Sequence, residues 1–179
     1  MRETPRLETP RLLLEPLASD HAEALHLVLD DPALHTFTGG VPLGPEALRV
    51  RIALLMRGPE LPDGAEKHET WWNWVLRRRV DDAVLGYVQA TVGAKGDAAE
   101  VAWVVGTPHQ GQGLAREAAR CMVGWLRAYG GATEVVANIH PEHRASEGVA
   151  RACGLTATGE LDPSGEQIWR WMAPGSTKA

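Results

Sequence analysis

Glu100-Val101-Ala102-Trp103-Val104-Val105 runs through Gly106 into Gln110-Gly111-Gln112-Gly113-Leu114-Ala115, and this junction decides the fold. The first six residues form a strand-like apolar run. From about Leu114 to Tyr129 apolar residues recur at helical spacing, and Gly130-Gly131 closes that helix. Glu134 to Ile139 is the next strand. The unit is a strand-helix-strand crossover with a glycine loop at the helix start.

Working outward toward the N-terminus, Val84 to Val92 and Trp71 to Leu76 read as two strands joined by the charged turn Arg77-Arg78-Arg79-Val80-Asp81-Asp82. Residues 58–69 hold prolines, a glycine and charges and read as a loop. Pro45 opens a helix that runs to Leu55 and stops at Gly58-Pro59. An earlier helix carries Ala22, Leu25, Val28 and Leu29 on one face, with Ser19-Asp20 as its N-cap and Asp31-Pro32 at its end. Arg11 to Glu15, between Pro10 and Pro16, is a first strand. Toward the C-terminus, a helix from about Ala145 to Ala152 is capped by Gly154, and Gln167 to Met172 closes the chain as a strand. An antiparallel front half followed by a crossover makes a mixed α/β (α+β) domain.

At 179 residues the chain is one domain's length, and it shows no internal repeat or long linker. The expectation is a single domain over residues 1–179, with 1–8 and 174–179 flexible. An apolar content of 44% suffices for a core without metal or disulfide staples. A net charge of −5 argues against nucleic acid or anionic membrane as partners, because both need a positive field. Cys121 and Cys153 sit in apolar helix-like stretches without metal or redox spacing and read as reduced core thiols. No run approaches the ~18 apolar residues that span a bilayer, so a soluble, cytoplasmic protein, monomer or homodimer, is expected.

The glycine loop has two readings. Glycines between a strand and a helix let backbone N–H groups converge on an anion at the positive end of the helix dipole, or they serve a tight turn. A Walker loop would need Gly-Lys-Ser/Thr, which is absent, and the dinucleotide pattern needs a third glycine and a later acid.

At these residues the sequence resembles the GNAT superfamily of acetyltransferases, whose signature places Gln or Arg, two residues, Gly, one residue, then Gly or Ala. Gln110, Gly113 and Ala115 match it. Thr9 to Pro16 is similar to the opening strand of the RimJ/RimL-like branch, which acetylates ribosomal-protein N-termini. Glu100 to Val105 is similar to that branch's fourth strand, and Pro141 to Ser146 with Gly154-Leu155 to its last helix and exit. The resemblance implies a mostly antiparallel central sheet, flanked by helices and splayed between strands four and five. It also implies acetyl-CoA as cosubstrate, with an amine acceptor that is a protein N-terminus or a small molecule. Gln110, Gly111, Gln112, Gly113, Leu114 and Ala115 would then bind the CoA pyrophosphate through backbone amides. The strand edge at Trp103 and Val105 would pair with pantetheine as an added strand does.

Acetyl transfer needs a neutral amine, a polarised carbonyl near the Val105 N–H, and a proton for the thiolate. Glu100 is the candidate base, its alternative being a solvated strand-end carboxylate. Related enzymes carry Asn where this chain has His143, and many carry an acidic Tyr near Ala150; both are replaced here. Ser146 matches the RimJ/RimL-like pattern, and the resemblance implies it as the proton donor to the thiolate. His143 hydrogen-bonds pantetheine, shuttles the proton, or simply caps the helix. His140 and His143 alone are a weak metal pair, and no metal is expected. Either departure also fits a CoA-binding sensor or structural relative without turnover.

Of seven tryptophans, Trp71, Trp72 and Trp74 crowd one strand, with Trp72 and Trp74 on one face. One face is core and the other walls the acceptor site, for which Trp72 and Trp74 are the candidates. Glu66, Glu69, Asp97 and Glu100 suggest a cationic acceptor, and the three arginines a solvated hairpin end.

Overall fold

The computed structural model describes residues 3–59, 69–93, 95 and 97–176. Most of the expected loop at 58–69 lies outside the described residues. Thirteen labelled elements follow in order: β1 Leu7–Glu8, β2 Leu12–Pro16, α1 Ala22–Leu29, α2 His35–Thr38, α3 Pro45–Arg57, β3 Thr70–Arg78, β4 Val84–Val92, β5 Ala98–Val105, α4 Leu114–Ala128, β6 Glu134–Ile139, α5 Arg144–Ala152, β7 Thr156–Leu161 and β8 Gln167–Met172. The strands form one sheet in the order β1-β2-β3-β4-β5-β6-β8-β7. Every neighbouring pair is antiparallel except β5 and β6, which are the parallel strands on either side of α4.

One face of the sheet is covered by α4 and α5. Leu12, Leu14, Trp72, Trp74 and Leu76 meet Ala118, Met122, Val123 and Leu126 of α4 there. On the other face α1 and α3 pack Ala22, Leu25, Leu48 and Ile52 against Val75. Trp74 and Val75, neighbours in β3, are both fully buried, so this strand is covered on both sides.

The mixed α/β class and the splay are as expected. β5 and β6 pair only from Ala98 to Glu100 against Glu134 to Val136, after which they part. The other edge of β5 stays paired with β4 up to Val105, opposite Gly86. Gly86 permits that close seam: at its φ of +150° a Cβ would lie 2.0 Å from the Val104 carbonyl oxygen.

Four expectations are corrected. Leu7–Glu8 is a strand on Leu13 and Leu14, and the Pro5 carbonyl accepts a 2.6 Å bond from Trp74 Nε1, so residues 5–8 are tied to the sheet. The Ser19–His21 turn is a 3-10 turn, and α1 starts after it without a side-chain cap. β7, an edge strand, was not anticipated; its Thr-Ala-Thr-Gly-Glu-Leu sequence lies largely exposed and lacks a buried face. The hairpin arginines are engaged: Arg77 with Glu15, Arg78 with Asp81, and Arg79 with the Thr9 carbonyl.

Candidate active site

The glycine loop turns sharply after β5. Gln110 braces it, since its side-chain Nε2 donates to the Val105 carbonyl at 2.9 Å and its N–H to the Thr107 carbonyl at 3.2 Å. Gln110 therefore braces the loop from its side chain and its backbone N–H. Gly111 and Gly113 both have φ of +74°, a left-handed conformation that side chains resist. A Cβ would meet nothing within 4 Å at Gly111, which faces open space, and would touch Arg11 Nη2 at 3.7 Å, an ordinary contact, at Gly113. Gly113 leads directly into α4 without a side-chain cap. The first N–H groups of a helix have no intrahelical acceptor, and with the positive end of the dipole they form an anion site.

A cluster that sequence reading missed holds this loop in place. Arg11 Nη1 donates to the Gln112 carbonyl at 2.9 Å, while Arg11 Nε donates to Glu117 Oε2 at 2.6 Å. Thr9 Oγ1 donates to the other carboxylate oxygen, also at 2.6 Å. Burial alone would raise the Glu117 pKa. The hydrogen bonds from Thr9 and Arg11, with the Arg11 charge, outweigh that and hold it below the usual carboxylate range.

Beyond the loop lies the bare edge of β5. Trp103 Nε1 donates to Ser146 Oγ at 3.2 Å, a bond that ties the β5 edge to the first turn of α5 across the splay. Because the indole N–H occupies a lone pair of that oxygen, the serine hydrogen is left to donate elsewhere. Glu147 fixes α5: its buried carboxylate takes Arg144 at 2.9 Å and Arg151 at 3.0 Å.

His143 sits at the N-cap position of α5, but its side chain does not cap the helix. Its ring stacks on Phe37 of α2, with centroids 4.4 Å apart at 17°, and His140 lies 5.3 Å from the same ring. Burial, then the His140 charge, pushes the His143 pKa below its ordinary value, so the imidazole is neutral at pH 7. Phe37, the chain's sole phenylalanine, was not anticipated here, because it lies in a four-residue helix without a periodic pattern.

Glu100, Ala102 and Val104 alternate onto one face of β5. Glu100 is exposed at the point where β5 and β6 separate. Across the opening, Glu166 has a pKa raised by burial first and then by Asp162, with a smaller push from Glu100.

On that face, a cavity of about 430 Å³ opens between α1, α2, α3 and the sheet. Val104 of β5 lines it, as does Gln89, the β4 partner of Ala102. Trp74 is among the residues that line it and Trp72 is not, although both rings turn the other way. Both sit edge-on to Trp125 of α4, with centroids 4.7 and 5.8 Å away, in the core on the opposite face. Period-two alternation pairs these rings correctly but leaves open which face is core. Of the carboxylates expected near the acceptor, those among the described residues do not line the cavity. Glu69 accepts from Trp71, the Asp97 backbone carbonyl caps Thr133 and Glu134, and Glu66 lies outside the described residues.

The parted sheet, the left-handed glycines and the uncapped start of α4 thus lie side by side. Residues 11–156 match the family model of the acetyltransferase (GNAT) domain, and the chain belongs to that family. It is 31% identical over 157 residues to an FsC-acetyl coenzyme A-N(2)-transacetylase of Aspergillus fumigatus, covering 85% of this chain and 65% of the relative. The chain thus spans just under two thirds of that relative's length. Its fold is shared with RimL, a ribosomal L7/L12 alpha-N-protein acetyltransferase solved with coenzyme A, at a TM-score of 0.77 and 17% identity over 96% of this chain and 100% of RimL. A GNAT-family acetyltransferase of Bacillus anthracis is similar at a TM-score of 0.76 and 19% identity, covering 94% and 98%.

Proposed function

We propose that this protein is a cytoplasmic N-acetyltransferase that moves an acetyl group from acetyl-CoA to a primary amine by direct attack. The observation that carries the reading is the bridge from Trp103 to Ser146 across the parted strands, beside the uncapped start of α4. The residues present fit acetyl-CoA: two left-handed glycines precede the uncapped start of α4, where the first N–H groups have no intrahelical acceptor, and β5 beyond Glu100 has no partner strand on that edge. Acetyl-CoA supplies the activated acetyl group as a thioester. The N–H groups from Gly111 through Ala115 hold the pyrophosphate, with Gln110 bracing them. The edge from Trp103 to Val105 pairs with the pantetheine amides. Ser146 donates its hydroxyl proton to the departing sulfur, and the Trp103 N–H keeps that hydroxyl oriented. His143, its pKa lowered first by burial, hydrogen-bonds pantetheine through its ring and does not relay the proton to sulfur. Glu100 takes the proton of the amine directly or through water. The two free thiols, Cys121 and Cys153, suit a reducing compartment.

Thiol release from acetyl-CoA in the presence of an amine panel tests this. Wild-type protein releases thiol only with an acceptor. Ser146→Ala lowers kcat by roughly 10²–10⁴ with little change in KM for acetyl-CoA, and Glu100→Gln loses more activity at low pH than at high pH. Binding of acetyl-CoA with no thiol release from any amine would instead make the protein a CoA-binding relative without turnover.

A further inference from the structure

The cavity on the α1–α3 side has a polar pattern of its own, and the inference drawn from it rests on the acetyltransferase reading above. Most of its wall is aliphatic, with Leu25, Leu48 and Ile52 among the buried contributors. Against that wall stand Arg51, Asn73, Tyr87 and Gln89. Among the described residues none of these four side chains has a hydrogen-bond or ion-pair partner. Asn73 is buried to 9% exposure and is one of the polar residues of the lining. His35, also in the wall, spends Nδ1 on the Gly39 carbonyl and leaves Nε2 buried without a partner. Burial raises the Tyr87 pKa while the Arg51 charge pulls it down, so guanidinium and phenol act on one another. No Asp or Glu is among the described residues of the lining.

A polyamine or aminoglycoside would place further positive charge beside Arg51, which is exposed, and no carboxylate of the described lining would offset it. A carboxylate, by contrast, matches the guanidinium fork, with Tyr87, Asn73 and Gln89 able to donate to it. The volume lies within the range of small-molecule sites. Gln89, level with Ala102, brings the cavity to the strand segment whose other edge is bare. We infer that the acceptor is a small primary amine with an apolar body and a carboxylate, bound through Arg51, and not a polycation.

Two matched pairs test this: phenylalanine against phenethylamine, and aminohexanoate against hexylamine, with spermidine as the polycation. In thiol-release assays at least one acid is preferred over its carboxylate-free partner by about tenfold or more in kcat/KM, the range of a charged hydrogen bond. Arg51→Met brings that ratio close to one. Lack of preference for either acid, a preference that survives Arg51→Met, or spermidine as the best acceptor would overturn the inference. Should no panel amine be acetylated, thermal stabilisation by amine-free phenylbutyrate decides. Stabilisation of wild type but not Arg51→Met supports the inference, and any other pattern overturns it. Acetyl-CoA stabilisation, followed in parallel on both proteins, separates the failures. Its absence from wild type sinks the acetyltransferase reading, and its presence beside a failed ratio sinks only the acceptor class. Its retention in Arg51→Met shows that the variant is folded.

Discussion

The two sides of β5 are finished in different ways. Toward α4, the glycine loop is tied down by Gln110, Arg11, Thr9 and Glu117, and only its backbone donors are left open. Toward α1 and α3, the side chains of Arg51, Asn73, Tyr87 and Gln89 line a cavity without partners among the described residues. A site for one fixed cosubstrate can be preorganised by backbone and braced from behind, because its ligand does not vary. A site for a variable acceptor is shaped by side chains, and its unspent hydrogen-bonding groups describe the missing ligand. The first side therefore announces a cofactor class, while the second announces substrate chemistry.

Breaking the seam common to both sides has the largest expected effect. Gly86→Ala places a Cβ 2.0 Å from the Val104 carbonyl oxygen, where backbone has to move. A loss of about 3 kcal/mol, or roughly 6–12 °C in Tm, is expected by thermal denaturation, with donor and acceptor affinities falling together. Normal stability in this variant would mean that the β4–β5 seam is looser than described.

Glu117→Gln disturbs the donor side alone. Losing the Arg11 pair and weakening the Thr9 contact costs about 1–2 kcal/mol at pH 7, the upper range being reduced because Arg11 is half exposed. Since the folded pKa of Glu117 is lowered, its contribution is present above the ordinary carboxylate pKa and disappears as pH falls through the folded value. Denaturant titrations should therefore show the two proteins converging below about pH 4. A gap that persists in acid would assign the effect to packing.

His143→Asn has the smallest effect. It removes the Phe37 stack, at a cost of about 0.5–1.5 kcal/mol, but supplies another hydrogen-bonding side chain. Steady-state kinetics should give kcat within a few-fold of wild type. A fall of roughly 10² or more would restore the imidazole as a proton carrier.

The same contrast governs what could be read from the chain. β5, the glycine loop and α4 are contiguous, so strand pattern, turn chemistry and helix period reinforce one another and this stretch of the fold was legible. α3 was legible from Pro45 and Gly58 for the same local reason. The Arg11–Glu117 brace joins residues 106 positions apart and leaves no local trace. The cavity draws on α1, α2, α3, β3, β4 and β5, and its polar members lie singly on separate elements. Acids near the supposed cleft pointed to a cationic acceptor; Glu69, Asp97 and Glu100 are not among the described lining residues, and Arg51 is. β7 escaped because an exposed edge strand carries no buried alternation.

Calorimetric titration of acetyl-CoA into wild type and Gly113→Val tests the central claim most directly. The account predicts one site on wild type, with melting raised by a few kcal/mol at saturation. Gly113→Val should bind far more weakly, because its β-branched side chain resists the left-handed φ of +74° and presses on Arg11, which braces the loop. Unchanged melting of wild type at millimolar acetyl-CoA, or equal affinity in the two proteins, would contradict it.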